Sequence, residues 1–404
     1  MNPLAPFRDR FVIDDPDLLY LDGNSLGRLP VAAVELAERL VAEQWGGRLI
    51  RGWNEGWMDL TTRIGDKVGR VIGSRPGEVV IADSTSVNLF KLASAAVQAR
   101  PGRGVILTDD LNFPSDQHVL GSVAASTGAS VRVVASPDGV HGPVEGLLAA
   151  LDEDVALITL SGTAFQSGYT YDVGALTEAA HAVGALVLWD FSHTVGSVPI
   201  DVTGDGVDMA VGCSYKYLNG GPGAPAWMYV REGLADALDN PVRGWMGHAD
   251  TFSFDPGWQP APGVARFLTG TPPVVSAAII EPGVDLILEA GVGALRTASL
   301  ALTQRLLDAF DEELAPRGFS LGSPRDEHRG SHVTLLHPDG LAIDLALIAE
   351  ERLIPDFRPP DSIRLGIAPL YIDADDVDEA VRRIVRVVDS GAHERHRNRS
   401  VGVT

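Results

Sequence analysis

Leu188-Trp189-Asp190-Phe191-Ser192-His193 closes an apolar run that begins at Ala185. Such a run, ended by a lone acid, reads as a buried strand with a functional carboxylate at its carboxyl end. Similar runs lie at Val79–Ala82, Val105–Thr108, Val131–Val134, Ala156–Leu160 and Met209–Cys213, and all five read as buried strands. Helical patterns at Val87–Ala99, Val144–Leu151 and Val173–Val183 lie between several of them. Strand–helix alternation predicts an α/β fold, a mainly parallel sheet with helices on both faces. Ligands of such sheets bind outside the carboxyl ends of the strands, where Asp190 stands. Ala226–Val230 reads as a further strand.

The C-terminal part changes character. Helical stretches at Val274–Glu289 and Val292–Glu313 lead to a strand at His332–His337. A helix at Leu341–Glu350, a strand at Ile363–Ile367 and a helix at Val377–Asp389 follow. The sequence thus divides into an N-terminal segment (1–50), a large domain (51–270), a smaller α+β domain (271–392) and a solvated tail (393–404). The helix at Ala32–Trp45 is expected to pack with the smaller domain rather than with the sheet.

With 404 residues, 45% hydrophobic and 21% charged, the composition is that of a soluble globular protein of about two domains. A net charge of -22 disfavours nucleic acid and anionic membranes as partners. The single cysteine, Cys213, excludes an intrachain disulfide framework and fits a reducing compartment. Met1–Asp17 has no apolar signal core, so a cytoplasmic location is expected. Ala277–Leu295 comes nearest to a membrane span, but Glu281, Asp285 and Glu289 interrupt it. The ten histidines are scattered without metal-ligand spacing, so no metal is expected.

Further along comes Ser214-Tyr215-Lys216, its lysine twenty-six residues beyond Asp190, followed by Tyr217-Leu218-Asn219-Gly220-Gly221-Pro222-Gly223. A strand-end acid and a lysine in a glycine-bordered loop suit one cofactor, pyridoxal phosphate (PLP). It needs a lysine to hold it as a Schiff base and a carboxylate to keep its ring nitrogen protonated. Capping acids and snorkelling surface lysines are the ordinary alternatives for either residue alone. Found together, with His193 three residues beyond the acid, they favour the cofactor. Ser84-Thr85-Ser86 opens a helix and offers hydroxyls and free N–H groups as an anion cup for the phosphate. Phe113-Pro114-Ser115-Asp116 follows a strand end, where an aromatic ring can stack on a planar cofactor or simply fill a proline turn. Arg364 sits on an otherwise apolar strand and needs a partner. A substrate carboxylate and a structural carboxylate both fit that need.

Together these segments resemble kynureninase, a fold-type-I PLP enzyme, over nearly the whole chain in order. The most specific stretches are Gly23-Asn24-Ser25-Leu26-Gly27 and Phe113-Pro114-Ser115-Asp116. They are supported by Cys213–Asn219, Gly244-Trp245-Met246-Gly247-His248, Gly270-Thr271-Pro272-Pro273 and Arg364–Tyr371. The resemblance implies a homodimer with shared active sites. It assigns Lys216 to the Schiff base and proton transfer, and Asp190 to the ring nitrogen with His193 beside it. Phe113 stacks on the ring and Asp116 lies close by. Thr85, Ser86 and Tyr215 take the phosphate, and Tyr215 joins Lys216 and Asp190 in the catalytic set. Trp245 and Thr271 reach the phosphate from the other subunit, and Ser161 is a further cofactor contact. Arg364, Asn24 and Ser25 bind substrate. The implied reaction is hydrolysis of L-kynurenine, or its 3-hydroxy form, to the corresponding anthranilate and L-alanine in tryptophan catabolism. Phe191-Ser192 stands where relatives more usually carry Leu-Ala, and Thr271 where several carry asparagine, which leaves the ring substituent open.

Two other classes compete. A cysteine desulfurase-like or aminotransferase-like enzyme would share the fold, but a desulfurase of that kind needs a mobile cysteine, and Cys213 stands at a strand end. A non-catalytic PLP-binding regulator would carry a basic DNA-binding appendage, which this acidic chain lacks.

Overall fold

The computed structural model describes residues 3–397 and 399. Its main sheet has seven strands: β1 (Val79–Ile81), β2 (Val105–Asp109), β3 (Ser130–Val134), β4 (Val155–Ser161), β5 (Leu186–Asp190), β6 (Met209–Gly212) and β7 (Trp227–Val230). Their spatial order is β1-β7-β6-β5-β4-β2-β3. Strands β2 to β6 run parallel, and β7 is antiparallel to both β6 and β1. Seven helices belong with this half or flank it: α1 (Val31–Arg39), α2 (Leu60–Ile72), α3 (Thr85–Gln98), α4 (Pro114–Thr127), α5 (Val144–Ala150), α6 (Val173–Ala182) and α7 (Val274–Ala290).

Alternate strand residues feed two separate cores. On β5, Leu186 and Leu188 pack with Leu89 and Leu92 of α3 and Leu120 and Val123 of α4. Val187 and Trp189 face the other way, toward Ile64 and Val68 of α2, Leu176 of α6 and Ile280 of α7. With both faces covered, the strand is apolar throughout, which is why it reads as an unbroken run. The exception is β3. It lies at the sheet edge and leaves Val133 47% exposed, so the expectation of a buried strand there is corrected. Helix α4 is not apparent in the sequence. Pro114 occupies its first turn, where no N–H is needed, and Gly128 ends it in a left-handed conformation (φ +79°). Only Asp116, Leu120 and Val123 of α4 are buried, so its apolar stripe is thin.

The C-terminal part holds α8 (Val292–Ala309), β8 (Ser320–Leu321), β9 (His332–Leu336), α9 (Gly340–Glu351), β10 (Asp356–Arg358), β11 (Ser362–Gly366) and α10 (Ala374–Asp389). The strands form an antiparallel sheet in the order β10-β11-β9-β8. Helix α10 starts in a capping box at Asp373 and buries Val377, Ala380, Val381, Ile384 and Val387, a stripe of helical period. The helix expected at Ala32–Trp45 is α-helical only to Arg39 and continues in wider turns over Leu40–Arg48; α1 packs on α7. Helix α7 in turn packs on α2, tied by Lys67 to Asp285 at 2.7 Å. The division expected at residue 271 thus falls just before α7, a helix that packs on α2 of the large part. The expected solvated tail is also corrected at its start. Ala392–His396 forms a short 3-10 turn against α9, with His393 and His396 buried. Residues 398 and 400–404 of that tail lie outside the described residues. No helix among the described residues is long and apolar enough to cross a membrane.

The N-terminal segment is stitched to the C-terminal sheet. Leu19–Tyr20 pairs in parallel with Leu353–Ile354, and the Gly366 N–H donates to the Leu21 carbonyl at 2.6 Å. This pairing delivers Asn24 and Ser25 to the carboxyl side of the main sheet.

Candidate active site

The loops beyond the carboxyl ends of the parallel strands enclose a cavity of about 260 Å³, together with the loop after β6 and the edge of the C-terminal sheet. Lys216 enters it from the β6 loop. Two features bend that loop. Asn219 adopts a left-handed conformation (φ +55°), which asparagine tolerates, and the Ser214 hydroxyl donates to the Pro225 carbonyl at 2.6 Å. The N-terminal segment presses on the loop, where the Gly27 N–H donates to the Tyr215 carbonyl at 2.8 Å. Any β-carbon on Gly27 would collide with the Lys216 carbonyl, which gives the glycine that closes Gly-Asn-Ser-Leu-Gly its steric reason. The Lys216 amine lies 3.0 Å from His193 Nε2 and 6.0 Å from the centre of the Phe113 ring. Burial first, then the Lys216 charge, holds the His193 imidazole well below its ordinary pKa. It is therefore neutral at pH 7 and can accept a hydrogen bond from the lysine.

Opposite the lysine stand two carboxyl groups. Asp190, at the end of β5, accepts a hydrogen bond from the Ser192 N–H at 2.8 Å. Asp116 comes from the first turn of α4, and burial together with the Asp190 charge pushes its carboxyl well up. Asp116 is thus the carboxyl of the two held toward its protonated form, next to Asp190. Phe113 packs edge-on against Phe165 at 5.1 Å, yet is 41% exposed, so one ring face is open to the cavity.

At the far end lies the hydroxyl cup. Ser84 caps α3 by accepting the Val87 N–H at 3.4 Å, leaving Thr85 and Ser86 to face the cavity. Ser86 is held by Ser115 across a 3.0 Å hydroxyl contact. The loop beneath is braced by Lys91, which is fully buried; its amine is 2.5 Å from Asp83 Oδ2 and 2.6 Å from the Phe267 carbonyl. The phenol of Tyr215 is raised by the neighbouring Cys213 and by burial, so it keeps its proton and can donate. A helix N-terminus, hydroxyls and a phenol make an anion cup built from dipoles.

The remaining wall is contributed by Asn24, Ser25, Arg358 and Arg364. Asn24 is fully buried, and neither of its side-chain amide atoms has a hydrogen-bond partner among the described residues. Arg364, 1% exposed, is gripped by Asp356 through Nε at 2.5 Å and through Nη2. It also meets the Phe165 carbonyl and, at 3.1 Å, the Ser25 hydroxyl. Both readings of Arg364 therefore meet at one residue: it has a structural carboxylate, and it also lines the cavity. Nearby, burial and then the Asp356 charge push the Asp22 carboxyl up to about 7.

One cavity thus gathers Lys216, Asp190, His193, Phe113, Asp116, Thr85, Ser86, Tyr215, Asn24, Ser25 and Arg364. Three expected residues are not in its wall. Ser161 lies beside Asp190 in register, buried, with its N–H on the Asn112 side chain. Trp245 lies at the surface, 36% exposed and edge-on to Trp53 at 6.5 Å, and Thr271 is exposed. Three wall residues were not singled out from the sequence: Ser115, Ser192 and Arg358. Arg358 could have been found, because Asp356-Phe357-Arg358 places acid and base on one strand face, two residues apart. No cluster among the described residues could hold a metal ion. An amine, a carboxylate, an open aromatic face and an anion cup at one cavity fit a planar phosphorylated aldehyde.

Comparison with known proteins gives the same direction. A family model described as the kynureninase C-terminal domain matches residues 295–384. Over 396 residues the chain is 41% identical to the kynureninase of Pseudomonas fluorescens, covering 96% of this chain and 93% of that protein. Among solved structures, the apo cysteine desulfurase of Thermococcus onnurineus NA1 superposes with a TM-score of 0.81 at 18% identity, over 96% of this chain and 99% of the other. A C-DES variant with glycine covalently linked to its PLP cofactor gives 0.80 at 17% identity, over 92% and 97%. At such identities the two structures share the fold alone. The desulfurase alternative also meets a steric objection: Cys213 is 1% exposed at the end of β6.

Proposed function

This chain belongs to the kynureninase family, and from that premise we propose that it hydrolyses L-kynurenine to anthranilate and L-alanine with the cavity residues in the roles that follow. As a member of that family it is a PLP-dependent hydrolase of a carbon–carbon bond. The observation that carries the residue-level reading is the convergence of Lys216, Asp190, Phe113 and the hydroxyl cup on one cavity.

When bound, pyridoxal phosphate supplies an electron-accepting ring that stabilises negative charge at the substrate α-carbon. Lys216 would hold the cofactor and, once displaced by the substrate amine, take the α-proton. Neutral His193, 3.0 Å away, orients that amine without competing for charge. Asp190 would face the ring nitrogen and favour its protonated form. Phe113 offers its open face to the ring. Thr85, Ser86 and the Tyr215 phenol hold the phosphate, and Arg364 receives the substrate α-carboxylate. Water would then add to the γ-carbonyl carbon, the Cβ–Cγ bond would break with the new carboxyl leaving on anthranilate, Cβ would take a proton, and Lys216 would return the proton it took to the α-carbon, giving L-alanine. Anthranilate fluorescence from purified, PLP-loaded protein and kynurenine tests the whole reading. No anthranilate from fully loaded enzyme would overturn it.

Arg364→Lys keeps a charge but loses the fork that Asp356, Ser25 and Phe165 hold in place, and with it the position of the N–H left for the substrate. We expect kcat/KM to fall by about 2–4 kcal/mol of transition-state stabilisation with PLP content unchanged. The check is discrimination between kynurenine and its decarboxylated amine. Equal discrimination by wild type and variant would leave Arg364 a structural ion-pair residue.

We also propose a homodimer with shared sites. Trp245 and Thr271 are both at the surface, away from their own cavity, which suits residues that serve a partner. Mixing Lys216→Ala subunits with Trp245→Ala,Thr271→Ala subunits should restore part of the activity, since one of the two sites in a hybrid is intact. Absence of recovery after demonstrated subunit exchange would count against sharing.

A further inference from the structure

The donors of Arg364 are nearly all committed. Its Nε–H and one Nη2–H go to Asp356, the other Nη2–H goes to Ser25, and one Nη1–H goes to the Phe165 carbonyl. A guanidinium has five N–H groups, so one is left. A two-pronged grip needs two adjacent N–H groups in parallel. Arg364 cannot give that to a ligand without releasing Asp356, Ser25 or Phe165.

Arg358 stands on the neighbouring strand and lines the same cavity. Its Nη1 is 2.9 Å from the other oxygen of Asp356 and 3.1 Å from the Phe357 carbonyl. Its Nη2 reaches Ser25 only at 3.4 Å. The Nε–H and one Nη2–H have no partner among the described residues. Two guanidiniums therefore share a single, 1% exposed carboxylate; the other acid nearby, Asp22, is pushed up to about 7 by burial and then by the Asp356 charge, so near neutral pH it offsets only part of the one positive charge in excess. A partly buried net charge is unfavourable unless an anion joins it. Of the two, Arg358 has the spare donors and, at 31% side-chain exposure, the room to turn.

We propose that Arg358 is a substrate-binding residue: it supplies the second hold on the substrate α-carboxylate, which Arg364 alone cannot complete. The remaining Nη1–H of Arg364 and the free edge of Arg358 would flank the carboxylate, while Asp356 positions both guanidiniums. This deepens the kynureninase reading and rests on it for the identity of the substrate. The anion site itself stands independently of that reading.

The test uses PLP-loaded wild type, Arg358→Gln and Arg358→Lys. In Arg358→Gln we expect KM for kynurenine to rise by at least about tenfold, with kcat within about threefold, as for a charge-assisted contact made equally before and during reaction. Arg358→Lys should recover part of the loss. The Ki of the decarboxylated amine should be the same in wild type and Arg358→Gln. L-Alanine binding, read from the cofactor's absorbance without turnover, should weaken by about tenfold as well. A KM and an L-alanine Kd both within about twofold of wild type would overturn the proposal. So would an equal weakening of the decarboxylated amine, because that would mark a general distortion. If wild type makes no anthranilate but L-alanine binding still depends on Arg358, the carboxylate site stands and the kynureninase reading falls.

Discussion

Lys216→Ala is expected to remove essentially all turnover, with kcat falling by at least about 10⁴. The residue has two tasks that nothing else in the cavity can take over: covalent attachment of the cofactor and proton transfer at the substrate α-carbon. The basic side chain that touches Lys216 is His193, and burial first, then the Lys216 charge, holds that imidazole neutral. An imidazole cannot replace the amine as the cofactor's attachment point. The variant should stay folded, because the β6 loop is held by the Ser214–Pro225 and Gly27–Tyr215 hydrogen bonds and not by the lysine head group. Borohydride reduction of loaded wild type should fix the cofactor on the peptide containing Lys216, and the variant should yield no such peptide. Label on another lysine, or near-normal turnover by the variant, would sink the assignment.

Asp190→Asn should lower kcat by about 10²–10³ while leaving the melting temperature within a few degrees. The size reflects the loss of a partly buried carboxylate aimed at a developing charge distribution. The structure adds a refinement. Asp116 is pushed up by burial first and then by the Asp190 charge, so removing that charge lowers the Asp116 carboxyl part of the way while burial still holds it up. A folded pKa that falls on mutation means Asp116 ionises at lower pH in the variant than in wild type. Residual activity in Asp190→Asn should therefore rise with pH as Asp116 ionises and partly substitutes. Asp116→Asn,Asp190→Asn should lack that rise. A single variant with near-normal turnover would mean that Asp190 does not face the ring nitrogen.

The central sheet was legible because strands covered on both faces have nowhere to put a polar side chain. The edge strand β3 has only half that constraint, so the apolar run Val131–Val134 does not mark a strand buried on both faces. Helix α4 was invisible because three buried positions make too weak a stripe, and Phe113-Pro114 looks like a turn when the helix behind it is unknown. Site residues were readable where chemistry forces a rare combination, such as Asp190 with Lys216. Arg358 carries only the local acid–base spacing of Asp356-Phe357-Arg358, and its meaning depends on Asp356 being shared with Arg364 across two strands. Donor counting of that kind needs coordinates. The paired roles of Gly27 and Gly366 were equally hidden: a β-carbon on the first would strike the Lys216 carbonyl, and one on the second would strike Asn24.

The cavity draws its wall from both ends of the chain, residues 24–25 and 358–364, as well as from the sheet between them. During synthesis the sheet emerges well before the strands that carry the two arginines. A half-made chain would thus present the cofactor-facing groups without the carboxylate grip. Cofactor capture could precede completion of the polypeptide, but recognition of an amino acid could not. The same arrangement ties specificity to integrity: the last fifty or so residues, roughly from β10 onward, carry both guanidiniums, and Ile363, Leu365 and Ile367 among them share one apolar core with Tyr217 and Leu218 beside Lys216. Loss of that stretch would take away the carboxylate grip and open the packing behind the cofactor lysine in one stroke.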